Sequence, residues 1–123
     1  MLHVILLTMQ FNEYQEKAKK TDTYKVKSDR LQYSVLGLVG EAGEVADKVK
    51  KIMREEKGRV GEERRQELKQ ELGDVLWYMA KLARELGLKF DEIAKANIEK
   101  LYRRQVHGIF SGGPDLLHQF LSR

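Results

Sequence analysis

Apolar residues in this chain recur at threes, fours and their sums, and strand-like alternation does not persist anywhere. Leu31, Val35, Leu38, Val45, Val49, Ile52 and Met53 form one such stripe. It predicts a helix over 30–56, about 40 Å long at ~1.5 Å per residue. Leu68, Leu72, Val75, Leu76, Met79, Leu82 and Leu86 mark the next helix, which ends at the C-cap signal Gly87. Ile93, Ala94, Ile98 and Leu101 mark a further helix from Asp91, whose charge suits a helix N-terminus, to Val106. Ahead of these stands a short helix over 12–20, with Asn12 as cap and Gln15 reaching back to it. Residues 21–29 read as a polar linker. Residues 54–66 read as a charge-rich connection punctuated by Gly58 and Gly61, in which a substrate lid is the lesser reading. The expected class is all-α, a bundle of four to five helices.

The ends fit this pattern least. The sequence from Met9 reads as a natural start, so residues 1–8 are expected to be an extension of the helical domain over 9–107. Gly108, Gly112, Gly113 and Pro114 are expected to break the last helix, with one or two turns over 115–120 in a divergent tail, 108–123.

Composition narrows the chemistry. With 123 residues the chain suits one domain, and roughly two-thirds of its unfolded surface can leave water. It has no cysteine, which excludes disulfides, thiolate zinc sites and a cysteine nucleophile and agrees with a cytoplasmic location. A formal charge of +4 favours anions, small phosphorylated ligands as much as nucleic acid. The apolar run Val4 to Leu7 lacks a basic flank and is far shorter than the ~20 residues of a membrane span, so no membrane partner is expected.

The acidic residues carry the strongest signal. Glu41 and Glu44 are three apart on one predicted helix, and Glu71 and Asp74 are three apart on the next, so each pair projects from one face. The intervening chain is long enough to finish one helix, turn and return antiparallel, which sets the pairs face to face. Four like charges would raise one another's pKa values, and a divalent cation is the direct remedy; Mg²⁺ suits an all-oxygen donor set. Carboxylates at this spacing are also common on solvated faces. The glycines weigh against that reading. Gly37, Gly40 and Gly43 surround the first pair and Gly73 lies inside the second, each costing ~1 kcal/mol against Ala in a helix, which close approach of a backbone or ligand would explain.

The stretch from Gly37 to Lys50, with Gly-Glu-Ala-Gly-Glu at its centre, and the stretch Glu71-Leu-Gly-Asp-Val-Leu-Trp-Tyr78 resemble the ExxE…ExxD signature of the MazG-like nucleotide pyrophosphohydrolases. The resemblance extends from about Phe11 through Arg104. It implies an all-α enzyme that hydrolyses a nucleoside triphosphate, ribo or deoxy, to the monophosphate and pyrophosphate, commonly in nucleotide-pool house-cleaning. It also implies Mg²⁺, with Mn²⁺ as a substitute, and a homodimer or homotetramer. Carried over by position, Glu41, Glu44, Glu71 and Asp74 are metal ligands, and Asn97, Lys100 and Arg104 touch the nucleotide. Some relatives carry a further glutamate where this chain has Gly40, which removes one candidate base. Glu41 and Glu44 remain as proton acceptors, and spacing does not choose between them.

Other side chains have two readings each. Lys48 suits either a phosphate or an ion pair with Glu44 four residues earlier. Trp77 suits a core or a subunit interface, while Tyr78, on the cluster face, and Tyr33 are candidates to meet the base. His3, His107 and His118 lack metal spacing. The alternatives to the leading reading are a phosphoribosyl-ATP pyrophosphohydrolase and a non-catalytic helical module binding nucleic acid or protein. The carboxylates argue against a phosphate-backbone contact at their own surface, and no nucleic-acid partner is expected.

Overall fold

The computed structural model describes residues 8–112, and of residues 109–112 the backbone alone. Among the described residues four α-helices follow one another: α1 (Phe11–Lys19), α2 (Arg30–Glu55), α3 (Glu62–Glu85) and α4 (Phe90–Gly112). No strand occurs among the described residues. No described helix is long and apolar enough to cross a membrane. The chain divides into two compact units, 1–90 and 91–123.

In the first unit, α2 and α3 pack antiparallel and α1 packs on α3. The register between α2 and α3 is uniform. Arg30 Nε meets Glu85 Oε1 at 2.9 Å, and seven residues further along α2, Gly37 lies under the ring of Tyr78, seven residues back along α3. A further step of four in each direction reaches Glu41 and Asp74, and another of seven reaches Lys48 and Glu67. Positions that share a helical face therefore meet in sequence along the whole contact.

The short turn between α2 and α3 is held by Arg64, which reaches Glu55, Glu56 and Glu67 at 3.1, 2.7 and 2.9 Å. Gly58 there has φ 77°, and Gly87, after α3, has φ 68°; both are left-handed positions that favour glycine.

The sequence pattern predicts a capping box of Asn12 and Gln15; the helix instead begins one residue earlier, at Phe11, with Gln10 at the cap and no side-chain cap bond. Gln15 is buried. Its amide donates to the carbonyls of Leu88 (3.0 Å) and Ala80 (3.4 Å), and its Oε1 accepts from the Phe90 N–H at 3.0 Å. Satisfying three backbone groups, two of them buried, outweighs a local cap. Phe90 also packs edge-on against Phe11, with ring centroids 5.1 Å apart.

The segment expected to be a plain polar linker is strapped to the helices. Asp22 Oδ2 accepts from Lys81 at 2.5 Å, Arg84 at 2.6 Å and Arg30 at 3.0 Å. The side chains of Lys81 and Asp22 are only 1% and 4% exposed. The Lys81 ammonium lies 5.6–5.8 Å from the rings of Tyr24, Tyr33 and Trp77, and Tyr24 stacks on Tyr33 at 3.9 Å. Trp77 Nε1 donates to Thr21 Oγ1 at 2.7 Å. Burial pushes the Asp22 carboxyl up, but the Lys81 hydrogen bond, the Tyr24 N–H and the charges of Lys81 and Arg84 together hold it below its ordinary value.

The apolar stripe of α2 is buried less than its periodicity suggests. Ile52 is buried, whereas Leu31, Val35, Val49 and Met53 are exposed, as are Leu36 and Val39. In the second unit, α4 carries Asp91 and Glu92 in its first turn and continues through Gly108 to Gly112 rather than stopping at Val106. One glycine costs a helix about 1 kcal/mol, which slows propagation without ending it. The expected turns over 115–120 and all but the last residue of the expected extension over 1–8 lie outside the described residues.

Candidate metal centre

One carboxylate oxygen from each of Glu41, Glu71 and Asp74 lies within 4.8 Å of the other two. The i, i+3 spacing on α3 aims Glu71 and Asp74 from one face, and the antiparallel register brings Glu41 of α2 against them. Glu41 and Glu71 are half-buried and Asp74 is exposed, so the cluster opens to solvent on one side. Glu44 is exposed and stands outside the three-carboxylate group, although its charge reaches Glu41. The face-to-face meeting of two pairs is thus a group of three with the fourth at its margin.

Burial, followed by the charges of Asp74, Glu71 and Glu44, raises the Glu41 carboxyl above its usual value. The neighbouring Tyr14 phenol of α1 is raised as well, by burial and then by Asp74. Oxygens around an octahedral Mg²⁺ at ~2.1 Å stand roughly 3–4 Å apart, so small side-chain rotations would close this group on a cation. An oxygen-only donor set that repels itself fits Mg²⁺ or Mn²⁺.

Lys48 pairs across the helix contact, not with Glu44 on its own helix: its Nζ is 3.3 Å from Glu71 and 4.0 Å from Glu67. It is the cation that partly neutralises the cluster. Tyr78 stands one turn from Asp74 with its ring over Gly37, and it is 6.4 Å from the Tyr33 ring and 4.9 Å from that of Trp77. That packing explains Gly37 by a side chain of the neighbouring helix. A Cβ at Gly40, Gly43 or Gly73 would meet nothing within 4 Å, so those three glycines are not required by neighbours in the described residues. Asn97, Lys100 and Arg104 lie on α4 in the second unit, where all three are exposed.

Sequence reasoning did not reach Asp22 and Lys81. A signal was present: Lys81 falls seven residues after Asp74 and three after Tyr78, on the face of α3 that packs, where an unpaired lysine is costly.

Three carboxylates brought together by antiparallel helices, with no strand among the described residues, define an all-α protein with a carboxylate centre. The family model of the MazG nucleotide pyrophosphohydrolase domain matches residues 31–109, and the chain belongs to that family. The Gene 37 protein of Mycobacterium phage L5 is 41% identical over 112 residues, which span 87% of this chain and 98% of that protein. No solved structure matches the chain.

Proposed function

We propose that this protein is a Mg²⁺-dependent nucleoside triphosphate pyrophosphohydrolase, acting on ribo- or deoxynucleotides in nucleotide-pool house-cleaning. The observation that carries the proposal is the convergence of Glu41, Glu71 and Asp74, inside the stretch matched by the family model, into a group that small side-chain rotations would close on a divalent cation. When bound there, magnesium would neutralise triphosphate oxygens and the charge that develops as the α–β bridge breaks. Water oxygen bonds to the α-phosphorus, the bond from that phosphorus to the bridging oxygen breaks, and the products are the monophosphate and pyrophosphate.

Glu44 is the better proton acceptor of the two candidates. It lies outside the group that would hold the cation and is exposed, whereas Glu41 is committed to the group. Lys48 is placed to meet phosphate oxygens once a cation relieves it of Glu71. By their match to the family motif, Asn97, Lys100 and Arg104 are assigned to nucleotide contact. Leu36 (71% exposed), Val39 (65%) and Met53 (67%) of α2, with Leu72 of α3, supply an apolar surface for a homodimer or homotetramer.

A pyrophosphate-release panel over ribo- and deoxynucleoside triphosphates and phosphoribosyl-ATP, with and without Mg²⁺, tests the reading. Turnover that needs the metal and disappears in Glu44→Gln and Asp74→Asn is expected. Inactivity across the panel overturns it, and activity confined to phosphoribosyl-ATP replaces the substrate.

A further inference from the structure

The carboxylates of the centre come from two helices, so their separation depends on how closely α2 and α3 approach at that turn. Gly37 lies one turn before Glu41 on α2, and Tyr78 one turn after Asp74 on α3, and the two meet in the same register. An added Cβ at Gly37 would fall well inside 3.0 Å of Tyr78 Cε1, Cζ and Cδ1, closer than real Cβ atoms come. Two further rings stand beside that of Tyr78: Trp77 edge-on at 4.9 Å and Tyr33 at 6.4 Å. Tyr33 is in turn stacked on Tyr24.

We propose that the aromatic ring of Tyr78 seated on the bare backbone of Gly37 is the spacer that sets the distance between α2 and α3 at the metal centre. Gly37 and Tyr78 are positioning residues for Glu41, Glu71 and Asp74. The proposal rests on the reading that those carboxylates hold a divalent cation. A helix-interior glycine ordinarily gains from replacement by alanine; at Gly37 the new methyl group meets the ring, and the helices part or tilt one turn from the ligands. A cation with near-fixed ligand distances is sensitive to a shift of about 0.5 Å.

The test uses Mn²⁺ alone, titrated into the full chain by calorimetry, with helicity and thermal unfolding followed in parallel. Gly37→Ala is expected to weaken Mn²⁺ binding about tenfold or more, the size of effect seen when a ligand's supports are disturbed. Gly37→Ala/Tyr78→Ala, in which the methyl group no longer meets a ring, is expected to bind within about threefold of Tyr78→Ala. Crystal structures of the wild type and Gly37→Ala are expected to show a longer Glu41–Asp74 Cα separation in the variant. If Gly37→Ala does not fold, the double variant decides: recovery of the fold supports the spacer, and failure of both overturns it. Wild-type affinity with an unchanged separation also overturns it. If the wild type binds no Mn²⁺, the metal reading falls, and the separation alone then decides for or against the spacer.

Discussion

Asp22→Asn tests the strap between the segment after α1 and the α2–α3 pair. The substitution keeps the size of the side chain and an oxygen to accept from the Tyr24 N–H, and puts an uncharged amide NH2, a donor, where Oδ2 accepts from three cations. Lys81, Arg84 and Arg30, all within 3.0 Å of the same carboxylate oxygen, are then left against a neutral amide. Removing one partner of a buried ion pair costs about 3–5 kcal/mol, chiefly because the other charge stays buried without compensation. Lys81, 1% exposed, is in that position. The reciprocal change, Lys81→Met, leaves Asp22 with Arg84 and Arg30. It forfeits one charge-assisted hydrogen bond and the cation–π contacts, about 1–3 kcal/mol, while the thioether keeps contact with the rings. The expected order is therefore asymmetric, with Asp22→Asn the more damaging. Urea unfolding at fixed protein concentration reads it as a lower midpoint at constant slope, and thermal unfolding as a drop of roughly 12–20 °C for Asp22→Asn. Equal losses in the two variants, or a loss below about 1 kcal/mol for Asp22→Asn, would refute the view that one carboxylate compensates three cations.

The same carboxylate has a pH signature. Its folded-state pKa lies below the unfolded value, so its stabilisation is complete above the ordinary Asp range near 3.9 and is lost as pH falls through the folded value. The acid limb of the unfolding profile should flatten in Asp22→Asn; an unchanged limb contradicts the assignment. Lys48→Met removes the cation that competes for Glu71, and binding of Mn²⁺ alone should tighten about threefold in a calorimetric titration, whereas weaker binding would mean that Lys48 holds Glu71 in place for the metal. Gly87→Ala forces a side chain into a left-handed conformation with no neighbour within 4 Å, so a loss of about 1–2 kcal/mol in urea unfolding, from the backbone alone, is expected. No loss there would mean that the turn after α3 relaxes.

Helix positions were legible because periodicity and terminators are local. The helix predicted over 30–56 is observed as Arg30–Glu55, and Gly87 follows the end of α3. The centre was partly legible for the same reason: each acidic pair is an i, i+3 feature of a single helix, and antiparallel return is the simplest topology for a short connection. Side chains whose partners are remote in sequence were misread or missed. Gln15 has a local capping pattern, but its partners are 65 to 75 residues away. Asp22 and Lys81 are 59 apart, and spacing alone does not pair them. Gly37 is visible in the sequence as a helix-interior glycine, yet the ring that requires it lies on another helix. The difference between Glu41 and Glu44, identical in motif terms, follows from which of them the packed register turns toward α3.

That register also distributes charge along the two helices. At one end Arg30 answers Glu85, at the other Lys48 answers Glu67 and Arg64 answers Glu55, and the turn between them presents three acids with Lys48 as the cation at Glu71. The ends hold together a middle that pushes itself apart. Neutralising the middle, as in Glu41→Gln, should leave a metal-free chain that is harder to unfold and binds Mn²⁺ more weakly, because the repulsion that weakens the fold is the same imbalance that would attract a cation.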